Sequence, residues 1–215
     1  MQSYVHEIII YAVPILLGLT VHEYAHGWAA DRLGDPTPRE MGRLTLNPLA
    51  HLDIIGTAVF FVTRTFGWAK PVAIDPGNLA APRRDMMRIA AAGPLANFLL
   101  ALACALLFHL LRGFMVPGEV GPRQVQILFP LLKMLMAGVS ANLALGLINL
   151  IPIPPLDGSR ILAGMLPEKP AALLARVDSY GAIILVILVF SNSLNLFFFP
   201  LLTSLTEFLL TGHVF

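Results

Sequence analysis

His22, Glu23 and His26 spell His-Glu-x-x-His. On a helix, residues four apart share a face, so both imidazoles can reach one metal ion while Glu23 reaches a water bound to it. Two neutral imidazoles and an adjacent carboxylate base are the parts of a zinc hydrolase. The motif sits inside an apolar stretch from Ile8 to Leu33 that otherwise reads as a membrane-spanning helix. Titratable groups at bilayer depth are costly and are kept for function, so the setting carries as much weight as the spelling.

Catalytic zinc usually takes three protein ligands and leaves one position for water. The single cysteine, Cys104, lies in an apolar run as a small packing residue and rules out a thiolate site, so the third ligand must come from His, Asp or Glu. Candidates at matching depth are His51, Asp53 and Asp157. Asp157 stands out because Pro152, Pro154 and Pro155 precede it directly after an apolar span. Prolines stop a helix and fix an extended backbone, which can hold a carboxylate where helix geometry would not put it. A capping aspartate before Gly158 is the plainer alternative.

The elements around these residues are membrane elements. Of 215 residues, 57% are hydrophobic and 13% charged, and mean hydropathy is +0.76. A soluble domain carries about 25% charged residues. The chain therefore reads as an all-α integral membrane protein of one domain, residues 1–215, retaining its N-terminal stretch, since Met1–Glu7 lacks a signal peptide's basic start. Spans are expected over 8–33, 90–111 and 127–151, each near the ~20 residues a bilayer needs. A fourth region, 180–210, is long for one crossing, and Ser191, Asn192, Ser193, Asn195 and Pro200 predict a broken span, or two short segments for five to six in all. Residues 54–66 are too few to cross and rich in Thr, Val and Phe, so a small β-hairpin or re-entrant element is expected over 54–72. A net charge of +1 without any basic run argues against nucleic acid as a partner.

Loop cations give an orientation. Eight Lys and Arg residues fall between Arg32 and Arg88, two between Arg112 and Gln126, three between Pro152 and Ser179, and none in either tail. Four crossings with both termini outside fit this alternation. His22 then lies about 9 Å from the cytosolic face, in the cytosolic half of the bilayer.

The order of several short pieces carries a resemblance. His22-Glu23-Tyr-Ala-His26, Asn47-Pro48-Leu-Ala-His51-Leu-Asp53, Gly67-Trp68-Ala-Lys70-Pro71-Val72, Gly93-Pro94-Leu-Ala-Asn97 and Asn149 through Gly158 together resemble the site-2 protease family of intramembrane metalloproteases, peptidase family M50. The likeness is to its short bacterial and archaeal branch, without PDZ or CBS domains. It implies one zinc ion per chain on His22, His26 and Asp157, Glu23 as general base, and Asn149 engaging a transmembrane substrate. It also implies a multi-pass protein of the cell membrane, a bacterial or archaeal inner membrane, acting in regulated intramembrane proteolysis.

On this reading Glu23 takes a proton from the attacking water and passes it to the leaving amine. An unwound substrate segment would be captured by the 54–72 region through β-augmentation. Asn97 and His51 are further candidates for substrate contact. Interhelical hydrogen bonding is the commoner use of residues such as Asn97 and Asn142, and ordering a turn is the commoner use of His51 and Asp53. Gly93-Pro94 reads as close packing and a kink. Two other functions fit the composition. A metal transporter would use the same ligands as a transit site, although no internal repeat is visible and Glu23 would have no task. A catalytically silent membrane chaperone would have no need of Glu23 or Asp157.

Overall fold

The computed structural model describes residues 2–53, 56, 70–115, 121–190 and 194–213. Among them the helices are α1 (Gln2–Arg32), the single turn α2 (Thr37–Glu40), α3 (Pro82–Gly113), α4 (Pro122–Asn149), α5 (Asp157–Met165), α6 (Glu168–Val177), α7 (Gly181–Phe190) and α8 (Phe199–Thr211), the last preceded by a π-helical turn at Leu194–Phe198. Three stretches are long and apolar enough to cross a membrane: Ile8–Arg32, Pro82–Gly113 and Gln124–Asn149. No strand occurs among the described residues. Most of the expected element over 54–72 lies outside them, and residues 70–75 are irregular.

Helix boundaries differ from the sequence expectation at the polar ends. α3 starts at Pro82 rather than Ala90 because its first turns, with Arg83, Arg84 and Asp85, are polar and invisible to a hydropathy reading. The start is well made: Pro82 occupies the first position, and buried Asp85 accepts from Ala81 N–H at 2.8 Å and from Arg88 at 3.1 Å. α1 likewise begins at Gln2, ahead of the apolar run. In the 180–210 region, residues 181–190 and 194–211 are helical, and residues 191–193 lie outside the described residues.

The chain forms two compact units. The first comprises 1–18, 97–148 and 188–215. Its core is Ala101, Ala105 and Phe108 of α3, Leu132, Val139 and Leu143 of α4, and Leu210 of α8. Exposed Leu99, Leu102, Leu106 and Leu110 line another face of the same α3, as expected where lipid, not water, is the solvent. Small residues let these helices approach: a Cβ at Gly138 would lie 2.9 Å from Cys104 Sγ, and one at Gly146 would lie 2.8 Å from the Phe98 ring. A polar link runs through this core. Fully buried Asn97 donates to Gly18 O at 3.1 Å and to Asn142 Oδ1 at 2.9 Å, and Asn142 donates to Gly138 O at 2.8 Å.

The second unit comprises 19–96 and 149–187. Ala29, Ala30, Leu79 and Ile89 form its small apolar core. Beyond α1 the chain is tied down by Asp35, which is fully buried and accepts from Thr37 N–H at 3.1 Å, Thr37 Oγ at 2.6 Å, Asp75 N–H at 2.8 Å and Asn78 Nδ2 at 2.9 Å. Burial alone would raise this carboxyl, but the four donors outweigh it and hold its pKa below the usual value.

Candidate metal centre

Within the second unit, α1 places the two motif histidines one turn apart, and the rings meet edge to face with centroids 4.5 Å apart. Asp157 joins them from the start of α5. His22 Nε2 and His26 Nε2 stand 3.0 Å apart, and Asp157 Oδ2 lies 3.1 Å from the first and 3.2 Å from the second. All three residues are buried, with 5%, 8% and 7% of their surface exposed.

The backbone before Asp157 explains how the carboxylate arrives. After α4 ends at Asn149, two tight turns follow, with Ile153 N–H donating to Ile151 O at 2.8 Å and Leu156 N–H to Ile153 O at 3.0 Å. Leu156 is extended and Asp157 is the first residue of α5, a favoured place for a negative charge. Leu156, not Asp157, occupies the N-cap position of α5. Gly158 makes the turn possible: a Cβ there would sit 2.3 Å from Leu150 O and 2.4 Å from Ile151 O.

The donor set tests whether a metal fits. His26 Nδ1–H donates to Ile89 O at 2.8 Å, which leaves Nε2 with its lone pair facing inward. Asp157 Oδ2 is buried and has no hydrogen-bond donor. Lone-pair atoms gathered at 3.0–3.2 Å repel one another unless a cation sits among them. Ligand atoms about 2.0 Å from a tetrahedral zinc lie about 3.3 Å apart, close to these separations. The residues therefore fit a zinc ion, and no other such group of His, Cys, Asp and Glu occurs among the described residues.

Three positioning features were not legible in the sequence. Glu23 Oε2 accepts from Val72 N–H at 3.0 Å, which fixes the carboxylate beside the ligands. The carbonyl of Ile89 orients His26. Gly93 lies against both rings: a Cβ there would come within 2.5 Å of His26 Nε2 and 2.6 Å of His22 Cε1. In the sequence Gly93 is part of Gly93-Pro94-Leu-Ala-Asn97 and reads as a packing site before Pro94.

The remaining candidates are placed as follows. Asn149 is half-buried at the last turn of α4. Asn97 belongs to the first unit and its amide links helices there. His51 is buried, its Nε2–H donates to Thr45 O at 2.8 Å, and its carbonyl accepts from Lys70 N–H at 2.8 Å. Asp53 accepts from Gly56 N–H at 2.7 Å, closing a local turn. Neither His51 nor Asp53 joins the metal cluster.

Comparison with known proteins then decides the family. The family model described as peptidase family M50 matches residues 10–128 and 123–191. The chain belongs to peptidase family M50. Two relatives carry the name "Putative zinc metalloprotease". YwhC of Bacillus subtilis is 33% identical over 180 residues, covering 82% of this chain and 78% of its own. Rip2 of Mycolicibacterium smegmatis is 31% identical over 209 residues, covering 93% and 73%. No solved structure matches the chain. As an M50 member it is a membrane metalloendopeptidase, and zinc is the metal that membership implies.

Proposed function

We propose that this M50 peptidase cuts peptide bonds in or near transmembrane segments of other membrane proteins, with one zinc ion held by His22, His26 and Asp157. The observation that carries the reading is the buried triangle of three lone-pair atoms on and beside a helix apolar enough to span the bilayer. Zinc held by His22, His26 and Asp157 would supply Lewis acidity, lowering the pKa of a water and polarising the scissile carbonyl. Glu23 is the general base: the Val72 N–H holds one carboxylate oxygen, which leaves the other to take the proton of the attacking water. The same carboxyl returns it to the leaving amine. Gly93 keeps the space beside the imidazoles open, and Ile89 O fixes the tautomer of His26.

Asn149 engages the substrate backbone from the last turn of α4, with His51 as a second contact. Asn97 serves the helix core instead. The fourth crossing falls in 180–210, and a β-hairpin or re-entrant element over 54–72 offers its edge to an unwound substrate. Support for that element is the backbone bond from Lys70 to His51 and the placement of Val72 at the catalytic carboxylate. The loop cations support a topology with both termini outside a cell membrane and the metal in its cytosolic half.

The test is a cleavage assay of purified protein in proteoliposomes against a panel of single-span membrane proteins. Wild type should cut at least one and Glu23→Gln none, while both hold zinc. Cleavage retained in Glu23→Gln overturns the assignment.

A further inference from the structure

α6 has an apolar face that the protein does not cover. At 100° per residue, Pro170, Leu173 and Val177 share one arc, and all three are exposed, Leu173 by 62%. A different arc faces α5: half-buried Leu174 lines a cavity of about 140 Å³ with Ser159 and Ala163 of α5. Lys169 and Arg176 lie together about 85° to one side of the exposed apolar arc. Both are exposed, and neither takes part in an ion pair among the described residues.

The surroundings repeat this arrangement. Met165 at the end of α5 and Tyr180 just after α6 are large, apolar in body and strongly exposed. Arg160 of α5 is exposed, and Arg83 is brought to the same place by donating from Nε to Ala163 O at 3.0 Å. Two acids oppose these cations, Glu168 in the first turn of α6 and Asp178 just beyond it. Glu168 is accounted for by the helix dipole. In the chain the segment follows α4, which is long and apolar enough to cross a membrane, and precedes the apolar helix α7.

An apolar arc with cations along one side and an aromatic nearby is the pattern of a helix lying in the plane of a bilayer surface. We infer that α6 is an interfacial helix that seats Pro170, Leu173 and Val177 at the headgroup–acyl boundary of an anionic leaflet, with Lys169 and Arg176 on lipid phosphates. Charge decides the lipid class, since juxtamembrane Lys and Arg favour anionic over zwitterionic headgroups. The inference rests on α4 crossing the membrane and is independent of the peptidase chemistry.

The test uses the full chain with its single cysteine removed by Cys104→Ala. A nitroxide is attached at Leu173→Cys or, on the polar side about 100° round the helix, at Ala172→Cys. Each protein is reconstituted in vesicles of phosphatidylcholine with or without phosphatidylglycerol, and collision with oxygen and with a neutral nickel complex is measured. The label at 173 should collide several-fold less with nickel than the label at 172. The difference should be larger with phosphatidylglycerol and should shrink when Lys169→Glu and Arg176→Glu are added. Equal nickel accessibility at 172 and 173 overturns the proposal, as does protection at 173 that ignores lipid charge. Protection that appears only at high protein-to-lipid ratio, with spin–spin broadening, identifies a second copy as the occupant and also overturns it.

Discussion

Gly93 defines the metal site by what it lacks. In a helix interior, Gly→Ala ordinarily stabilises by about 0.5–1 kcal/mol. Here the added methyl would collide with both imidazoles. Gly93→Ala should therefore lower zinc content, read by elemental analysis of the purified protein, while the helical circular dichroism is kept. Normal zinc loading in that variant would mean that the rings have slack and that the cradle is not required. Glu23 and His22 separate by chemistry in the same way. His22→Ala should lose the metal and activity together, whereas Glu23→Gln should keep the metal and lose cleavage by at least ~100-fold, the low end of general-base contributions. A transporter would tolerate Glu23→Gln, since the glutamate is outside the cluster of His22, His26 and Asp157.

At the scale of elements, two joints hold the helices in place. Gly158 lets the first turn of α5 close on the carbonyls that follow α4. A side chain at 158 must displace backbone, so Gly158→Ala should move Asp157 and weaken zinc affinity even though α5 itself gains helix propensity; titration with a fluorescent zinc competitor measures this. The second joint is the pair Asn97 and Asn142 in the first unit. Asn97→Ala leaves the Asn142 oxygen and the Gly18 carbonyl without this donor, at a cost of about 1–3 kcal/mol. A lower midpoint of thermal unfolding in detergent, with zinc stoichiometry unchanged, is the expected result. Loss of cleavage at unchanged stability would return Asn97 to the substrate-binding set.

For the whole molecule, pH and metal set stability together. The folded-state pKa of Asp35 is depressed, so its stabilisation is fully present above the unfolded value near 3.9 and is lost as pH falls below it. Asp35→Asn should lower the unfolding midpoint at pH 6 by about 1–3 kcal/mol equivalent. Near pH 3 the difference from wild type should narrow; an unchanged gap would assign the loss to geometry rather than charge. Much of the fold was legible in advance because lipid demands long apolar helices with internally bonded backbones, and three such runs are plain in the chain. That His22 and His26 meet was legible because four-residue spacing on a helix is a local property. Polar helix starts such as Pro82–Asp85 were missed, since hydropathy registers only the immersed part. Sequence alone thus determined the membrane class, the motif pair and a short set of third-ligand candidates. Tertiary structure decided which candidate meets the pair, which carbonyl orients His26, and which N–H holds Glu23. Those choices depend on contacts between residues tens of positions apart, such as Val72 with Glu23 and Ile89 with His26, where local spacing carries no information.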